Sequence, residues 1–378
     1  MDAESLEEFR AVLRRFANNK IQLHAAAYDR EARFPEESLI AFKELGLVSL
    51  AFPESDGGQG GDVLSQALVL EELARVCATS SLTLMVIWAG LVPVSRHGSE
   101  ELRKEVIAPA MDGDVVGSIC LTEPAGGSNL FALKTAAVKV DGGWVLNGQK
   151  RYITNATRSD WYTVLARSGE KQLGLFAVHK DDEGVSFGSR ESKMGIKGSP
   201  TADVIFDNCK IPEHRAIGDP SQGYRYITDS LTWTRVLIGA QALGIAQGAL
   251  EQAVRYTSER EQFGETLSRL QLVRGKIADM ATEIEAGRSL LYRAADAIDR
   301  DQPEARALAS MAKLFCSNAA MRVTTDAVQL HGGAGYLTDF PVERMMRDAK
   351  ITQIYEGANE IQQLIIAKHV YDVLRNQA

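Results

Sequence analysis

Ala136-Ala137-Val138-Lys139-Val140-Asp141-Gly142-Gly143-Trp144-Val145-Leu146 is the stretch on which the fold turns. Two short runs suited to extended chain flank Asp-Gly-Gly, and that arrangement signals a hairpin. Further β-rich runs follow at Trp161–Ala166, Leu173–Val178 and Val204–Phe206, with no long helical pattern between them. From Val115 to about Gly218 the chain therefore reads as a small antiparallel sandwich or barrel. A Rossmann-type βαβ sheet is not supported.

Outward from this block the apolar period changes. On the N-terminal side Leu6, Phe9, Leu13 and Phe16 recur at helical spacing, and an apolar helix is expected around Leu82 to Val94. Between Val76 and Ser95 no residue is charged. A turn-rich stretch, Pro53-Glu54-Ser55-Asp56-Gly57-Gly58, interrupts this half. On the C-terminal side Leu270, Val273, Ile277, Met280 and Ile284 mark one stripe of a long helix, and Gly332, Gly333 and Gly335 break the region. The expected order is thus helical, β, helical: a mainly α chain with a β middle domain. The expected boundaries are 1–113 for an N-terminal helical domain, 114–221 for the middle β domain and 222–378 for a C-terminal helical bundle.

Composition narrows the function classes. The 378 residues are 45% hydrophobic and 24% charged, ordinary for a globular chain of two or three domains. A net charge of −8 without a basic run offers nothing to a phosphate backbone, so nucleic acid is not an expected partner. Cys77, Cys120, Cys209 and Cys316 lack the paired spacing of a zinc site or redox dithiol and read as reduced, buried and structural; no metal is expected. The opening MDAESLEEF has no signal-peptide character, and no apolar run is read as reaching membrane-spanning length. No membrane insertion and a cytoplasmic location are the expectations. No Gly-x-Ser-x-Gly elbow occurs, so hydrolase chemistry has no support.

Two longer motifs carry more. Cys120-Leu121-Thr122-Glu123-Pro124-Ala125-Gly126-Gly127-Ser128-Asn129 resembles the first signature of the acyl-CoA dehydrogenase family. Gln329-Leu330-His331-Gly332-Gly333-Ala334-Gly335-Tyr336, with Asp339, Arg344 and Asp348 downstream, resembles its C-terminal pattern. Tyr152-Ile153-Thr154-Asn155, Arg260-Glu261-Gln262-Phe263-Gly264 and Tyr355-Glu356-Gly357 extend the likeness over essentially the whole chain. The resemblance implies a helix, β-barrel and four-helix-bundle architecture, FAD as cofactor, and a role in fatty acid metabolism. It places Leu121, Thr122, Gly127 and Ser128 at the flavin edge and phosphate region, and Tyr152, Ile153 and Thr154 at the ring wall. Ala358, Asn359 and Glu360 join this set. Arg260, Gln262, Phe263, Gln271, Gln329, Gly332 and Gly333 would hold the dinucleotide of a neighbouring subunit, which implies a homo-oligomer, usually a tetramer. Electron-transfer flavoprotein is the implied acceptor.

Desaturating an acyl thioester requires a base for the α-proton. The resemblance assigns this to Glu356, beside Gly357, which permits close backbone approach to a ligand. A carboxylate before a helix also suits the helix dipole without any chemistry. Some relatives carry the base immediately before a motif arginine; here Thr234 stands before Arg235, so that base is absent. Arg235 opens an apolar segment, so it should be buried and needs a partner: substrate in the family's pattern, or a structural ion pair. Ser128, Arg235, Gly357, Met85 and Ala89 are the expected substrate contacts, with Ser81 and Leu82 beside them, and the uncharged helix suits an apolar acyl group. Asn129, Ala358 and Thr232 depart from the common pattern, the last raising a carrier-protein thioester in place of CoA. A flavin oxidase or monooxygenase and a non-enzymatic binding protein are the rival readings on this fold.

Overall fold

The computed structural model describes residues 3–375; the two N-terminal and three C-terminal residues of the expected outer domains lie outside them. Six helices open the chain: α1 (Ala3–Phe16), α2 (Ala25–Arg30), α3 (Glu36–Glu44), α4 (Val63–Val76), α5 (Ala78–His97) and α6 (Glu100–Met111). The α1 stripe is real: Leu13 is buried, and Leu6, Phe9 and Phe16 pack half-buried on the same core. α4 starts at Asp62, whose side chain accepts the Ser65 N–H.

The middle segment contains β1 (Gly117–Cys120), β2 (Ala136–Val140), β3 (Gly143–Ile153), β4 (Trp161–Gly169), β5 (Gln172–His179), β6 (Val185–Phe187), β7 (Ala202–Pro212) and β8 (Ala216–Ile217). They form one sheet in the order β6-β7-β3-β2-β4-β5-β8, with β1 paired to β4. The Asp141-Gly142-Gly143 hairpin joins β2 to β3 in antiparallel register, Val140 opposite Gly143. One expectation needs correction, because the sheet is not purely antiparallel. β1 runs parallel to β4 with Gly117 opposite Trp161, and β2 meets β4 in parallel at Ala136 and Arg167. The β2–β3 hairpin lies between β1 and β4 in sequence, so β4 re-enters beside β1 in the same direction.

Inward residues of β1 to β7, among them Cys120, Trp144, Leu146, Tyr162, Phe176 and Cys209, enclose one core. The other faces of β4 and β5, through Leu165, Leu175 and Ala177, join the main helical core. Burial on both faces explains why these two strands read as continuous apolar runs rather than alternating ones.

After the sheet come α7 (Gly223–Glu259), a short hairpin of β9 (Glu261–Gln262) and β10 (Glu265–Thr266), α8 (Gln271–Asp299), α9 (Ala305–His331), α10 (Val342–Ile351) and α11 (Asn359–Arg375). On α8 the predicted stripe holds at Met280 and Ile284, which are buried, while Val273 and Ile277 are only partly covered.

α5 is the second correction. It is long and apolar enough to cross a membrane by length and composition. The fold instead encloses it: every residue from Ala78 to Ser95 is buried, walled by α4, α7 and the sheet. Gly90 makes this fit possible, since a Cβ there would stand 2.4 Å from the Ser118 backbone nitrogen of β1. The four cysteines are free thiols, all buried, with Cys120 and Cys209 in the sheet core and Cys77 and Cys316 in the helical core.

Candidate active site

Glu356 sits on the loop between α10 and α11, in the left-handed region at φ 51°, followed by Gly357 at φ 90°. A Cβ at position 357 would stand 2.6 Å from Gln362 Nε2. The residue is half-buried, and enclosure of its carboxyl raises the pKa above the ordinary glutamate range. Three groups oppose that rise: a hydrogen bond from Thr234 and the charges of Arg235 and Lys313. Thr234 Oγ1 donates to Glu356 Oε2 at 2.7 Å.

Arg235 is 5% exposed, yet its Nε and Nη1 have no hydrogen-bond partner. Burial and the nearby charge of Arg306 lower its pKa to about 10, while Glu356 pulls it up. No ion pair to Arg235 occurs among the described residues, so the structural-pair alternative fails and two buried donors are left for a ligand. Tyr355 hydrogen-bonds Gln241 Oε1, and Gln241 Nε2 donates to Ala78 O at 3.0 Å, tying the loop to the start of α5.

The loop after β1 is built around a buried carboxylate. Glu123 accepts from the N–H groups of Lys134 (2.6 Å) and Thr135 (3.0 Å) and pairs with the fully buried Lys150 at 2.9 Å. Lys150 also reaches Leu121 O at 3.2 Å, and Arg151 N–H donates to Thr122 O at 2.8 Å. Leu121 and Thr122 are thereby held beside the end of β3, where Tyr152 lies exposed at φ 58°. Ser118 Oγ donates to Thr154 O at 2.7 Å. Gly127 must be small, because a Cβ would meet Thr122 Oγ1 at 2.7 Å; Ser128 beyond it is exposed. Ile153 turns its side chain into the sheet core, so only its backbone faces this surface. Phe131 packs against Tyr224 with the rings tilted by 35° and their centroids 4.7 Å apart, joining the loop to the N-terminus of α7 about 15 Å along that helix from Thr234.

The remaining predicted cofactor residues lie elsewhere. Tyr256 near the end of α7 stacks on His331 at the end of α9, with centroids 4.3 Å apart. This brings the Arg260, Gln262 and Phe263 segment to the same end of the bundle as Gly332 and Gly333. All five, with Gln271 and Gln329, are exposed. Tyr256 is about 33 Å along α7 from Thr234 at roughly 1.5 Å per residue, so this end and the Glu356 loop are not one pocket of one chain.

Met85 and Ala89 are buried on α5, and Ser81 donates to Leu70 O. The Asn359 amide is fully engaged inside the protein: its oxygen accepts from Lys313 and Ser317, and its nitrogen donates to Ser317 and Asn318. Ala358 is half-buried and Glu360 exposed.

Sequence reading overlooked Lys313, Glu123 and Lys150. Lys313 carried a usable signal of its burial, a charge set among apolar neighbours at the helical period: Ala309, Lys313, Cys316 and Ala320 form one stripe on α9.

Helical, β and helical segments thus surround an enclosed carboxylate and a buried arginine with free donors, and the comparisons supply the family. The profiles described as Acyl-CoA dehydrogenase N-terminal, middle and C-terminal domain match residues 3–114, 118–209 and 221–371. A Mycobacterium tuberculosis protein named "Probable acyl-CoA dehydrogenase FadE25" is 47% identical over 370 residues, covering 97% of this chain and 95% of that one. Cyclohex-1-ene-1-carbonyl-CoA dehydrogenase of Geobacter metallireducens is 41% identical over 362 residues, 94% of this chain and 95% of that one. The butyryl-CoA dehydrogenase structure from Megasphaera elsdenii superposes with a TM-score of 0.94 at 36% identity, covering 98% of this chain and 100% of that one. The chain belongs to the acyl-CoA dehydrogenase family, flavin-dependent oxidoreductases whose cofactor is FAD.

Proposed function

We propose that the chain desaturates an acyl-CoA thioester between its α and β carbons, with Glu356 taking the α-proton. The observation that carries this is the Glu356 carboxyl itself, enclosed, held by Thr234 at 2.7 Å and next to an arginine with two unsatisfied donors. A desolvated carboxylate with a raised pKa is a stronger base than one in water. The thioester carbonyl would take the Glu356 backbone N–H, a donor placed to stabilise developing enolate charge. Arg235 would orient the acyl-CoA through its free Nε and Nη1.

The residues present fit FAD. Gly127 leaves room over Thr122 that a Cβ would fill, Thr122 and Thr154 are both half-buried, and exposed Tyr152 offers a ring wall. Leu121, Thr122, Gly127, Ser128, Tyr152, Thr154 and the backbone of Ile153 and Ala358 would hold the flavin half. Arg260, Gln262, Phe263, Gln271, Gln329, Gly332 and Gly333, at the distant end of the bundle, would hold the dinucleotide of a neighbouring copy, in a homo-oligomer read as a tetramer. When bound, the flavin accepts the hydride equivalent from the β carbon. CoA esters are favoured over carrier-protein esters by the relatives at 41–47% identity, one of which is named for a cyclic acyl-CoA. Electron-transfer flavoprotein is the proposed acceptor.

An anaerobic screen of acyl-CoA esters for bleaching of the flavin absorbance tests this. Glu356→Gln should slow reduction by the best ester roughly 10²–10⁴-fold with flavin content unchanged. Undiminished reduction in that variant would remove Glu356 as the base, and rapid reoxidation by air would reassign the acceptor to oxygen.

A further inference from the structure

Lys313 lies in the third turn of α9 and is completely buried. An ammonium in such a place is costly unless its donors are used. Its Nζ donates to Gly357 O at 2.9 Å and to Asn359 Oδ1 at 2.9 Å. Neither acceptor is a carboxylate. The charge is held against the backbone of the residue that follows the base.

That backbone is an uncommon one. Glu356 is a non-glycine residue at φ 51°, a conformation that persists only when its surroundings over-determine it. Gly357 O is gripped from two sides, by Lys313 and by Gln362 Nε2 at 2.7 Å. Asn359 is fixed in turn by Ser317 and Asn318 of α9, and its N–H donates to Gln353 O at 3.0 Å. The turn is thus bolted to α9 on both sides of Ala358.

We infer that Lys313 is a positioning residue for the base: through Gly357 O it holds the left-handed Glu356–Gly357 turn, and it sets a positive charge beside the Glu356 carboxyl. The inference rests on the reading of Glu356 as the base. The charged groups facing Lys313 are Glu356 on the loop, Glu360 on α11 and Arg235 on α7, and Arg306 on its own helix faces Arg235. Burial pulls Lys313 down to about 7, the two carboxylates pull it up, and Arg235 lowers it further. Its charge is half present near neutrality and fills in as the pH falls. That charge favours the ionised form of Glu356, the form that accepts a proton.

The test uses the flavin-loaded enzyme and stopped-flow flavin reduction by a reactive acyl-CoA ester across pH. Lys313→Met removes charge and donors at similar volume; Lys313→Gln keeps one donor without the charge. In both, the acid limb of the reduction rate should move up by about one pH unit. In Lys313→Met the limiting rate should also fall roughly 10- to 100-fold with KM changed much less. Lys313→Gln should recover part of that rate while keeping the displaced limb. If Lys313→Met does not fold, the limb of Lys313→Gln decides. A limb that stays in place, with or without slower turnover, overturns the inference and leaves a purely structural lysine. Glu356→Gln, measured alongside, separates the two claims. Its loss of reduction upholds the base whatever Lys313 does, and its retention overturns both.

Discussion

The hydroxyl of Thr234 donates to Glu356 Oε2 and so favours the ionised carboxylate, against the burial that raises its pKa. Thr234→Val keeps the shape and removes the donor. The pKa of Glu356 should rise further, so the acid limb of flavin reduction should shift to higher pH while the rate on the alkaline side changes little; reduction rates across pH check this. The sign follows because only the charged form loses a partner. Glu356 and Arg235 could be picked out in the sequence as candidates by the motifs they resemble, whereas Thr234 read only as a missing base and its bond to Glu356, 122 residues away, did not show. For Lys313 the burial was legible but the role was not, because its partners are a backbone carbonyl and an amide 44 and 46 residues away, and no local pattern encodes such a contact. Arg235 was expected to find a partner, and the unpaired state of its Nε and Nη1 became visible only in three dimensions.

Between α5 and β1 the fold depends on two missing side chains. Gly90→Ala would set a Cβ against the Ser118 nitrogen, and Gly117 faces Leu91 with similarly little room. That helix and strand should separate at a cost of about 1–3 kcal/mol, seen as a lowered melting temperature. Because β1 leads into Leu121 and Thr122, flavin retention should weaken as well. The long elements were readable from period alone: the α1 and α8 stripes, and the apolar runs of β4 and β5. β6 escaped because two half-buried residues around an exposed serine carry too little pattern, and the parallel seating of β1 beside β4 depends on chain routing rather than on residue type. α5 shows the opposite difficulty. Its composition fits a lipid phase as well as a protein core, and only its burial by neighbouring elements decides.

At the scale of the molecule, the far end of the bundle is unusually apolar for a free surface: Phe263 is 93% exposed, Leu272 89% and Tyr336 86%. If a second copy covers this end and shares its FAD there, Phe263→Asp should lower both the mass found by analytical ultracentrifugation and the flavin bound per chain, with circular dichroism unchanged. The contact between α1, α4 and α8 is locked internally. Glu71 and Glu72 of α4, both about 1% exposed, meet Arg10 of α1, and Glu71 also meets Arg288 of α8 at 2.9 Å. The thiols offer a way to watch such units come apart. Burial pushes Cys120, Cys209 and Cys316 up to about 12 and raises Cys77 too, so all four should be inert to alkylating reagents in the native protein. Two belong to the sheet and two to the helices, so mass spectrometry of pulse-labelled protein in rising denaturant would time the opening of each layer separately. Simultaneous labelling of all four would mean that sheet and helices unfold as one cooperative body.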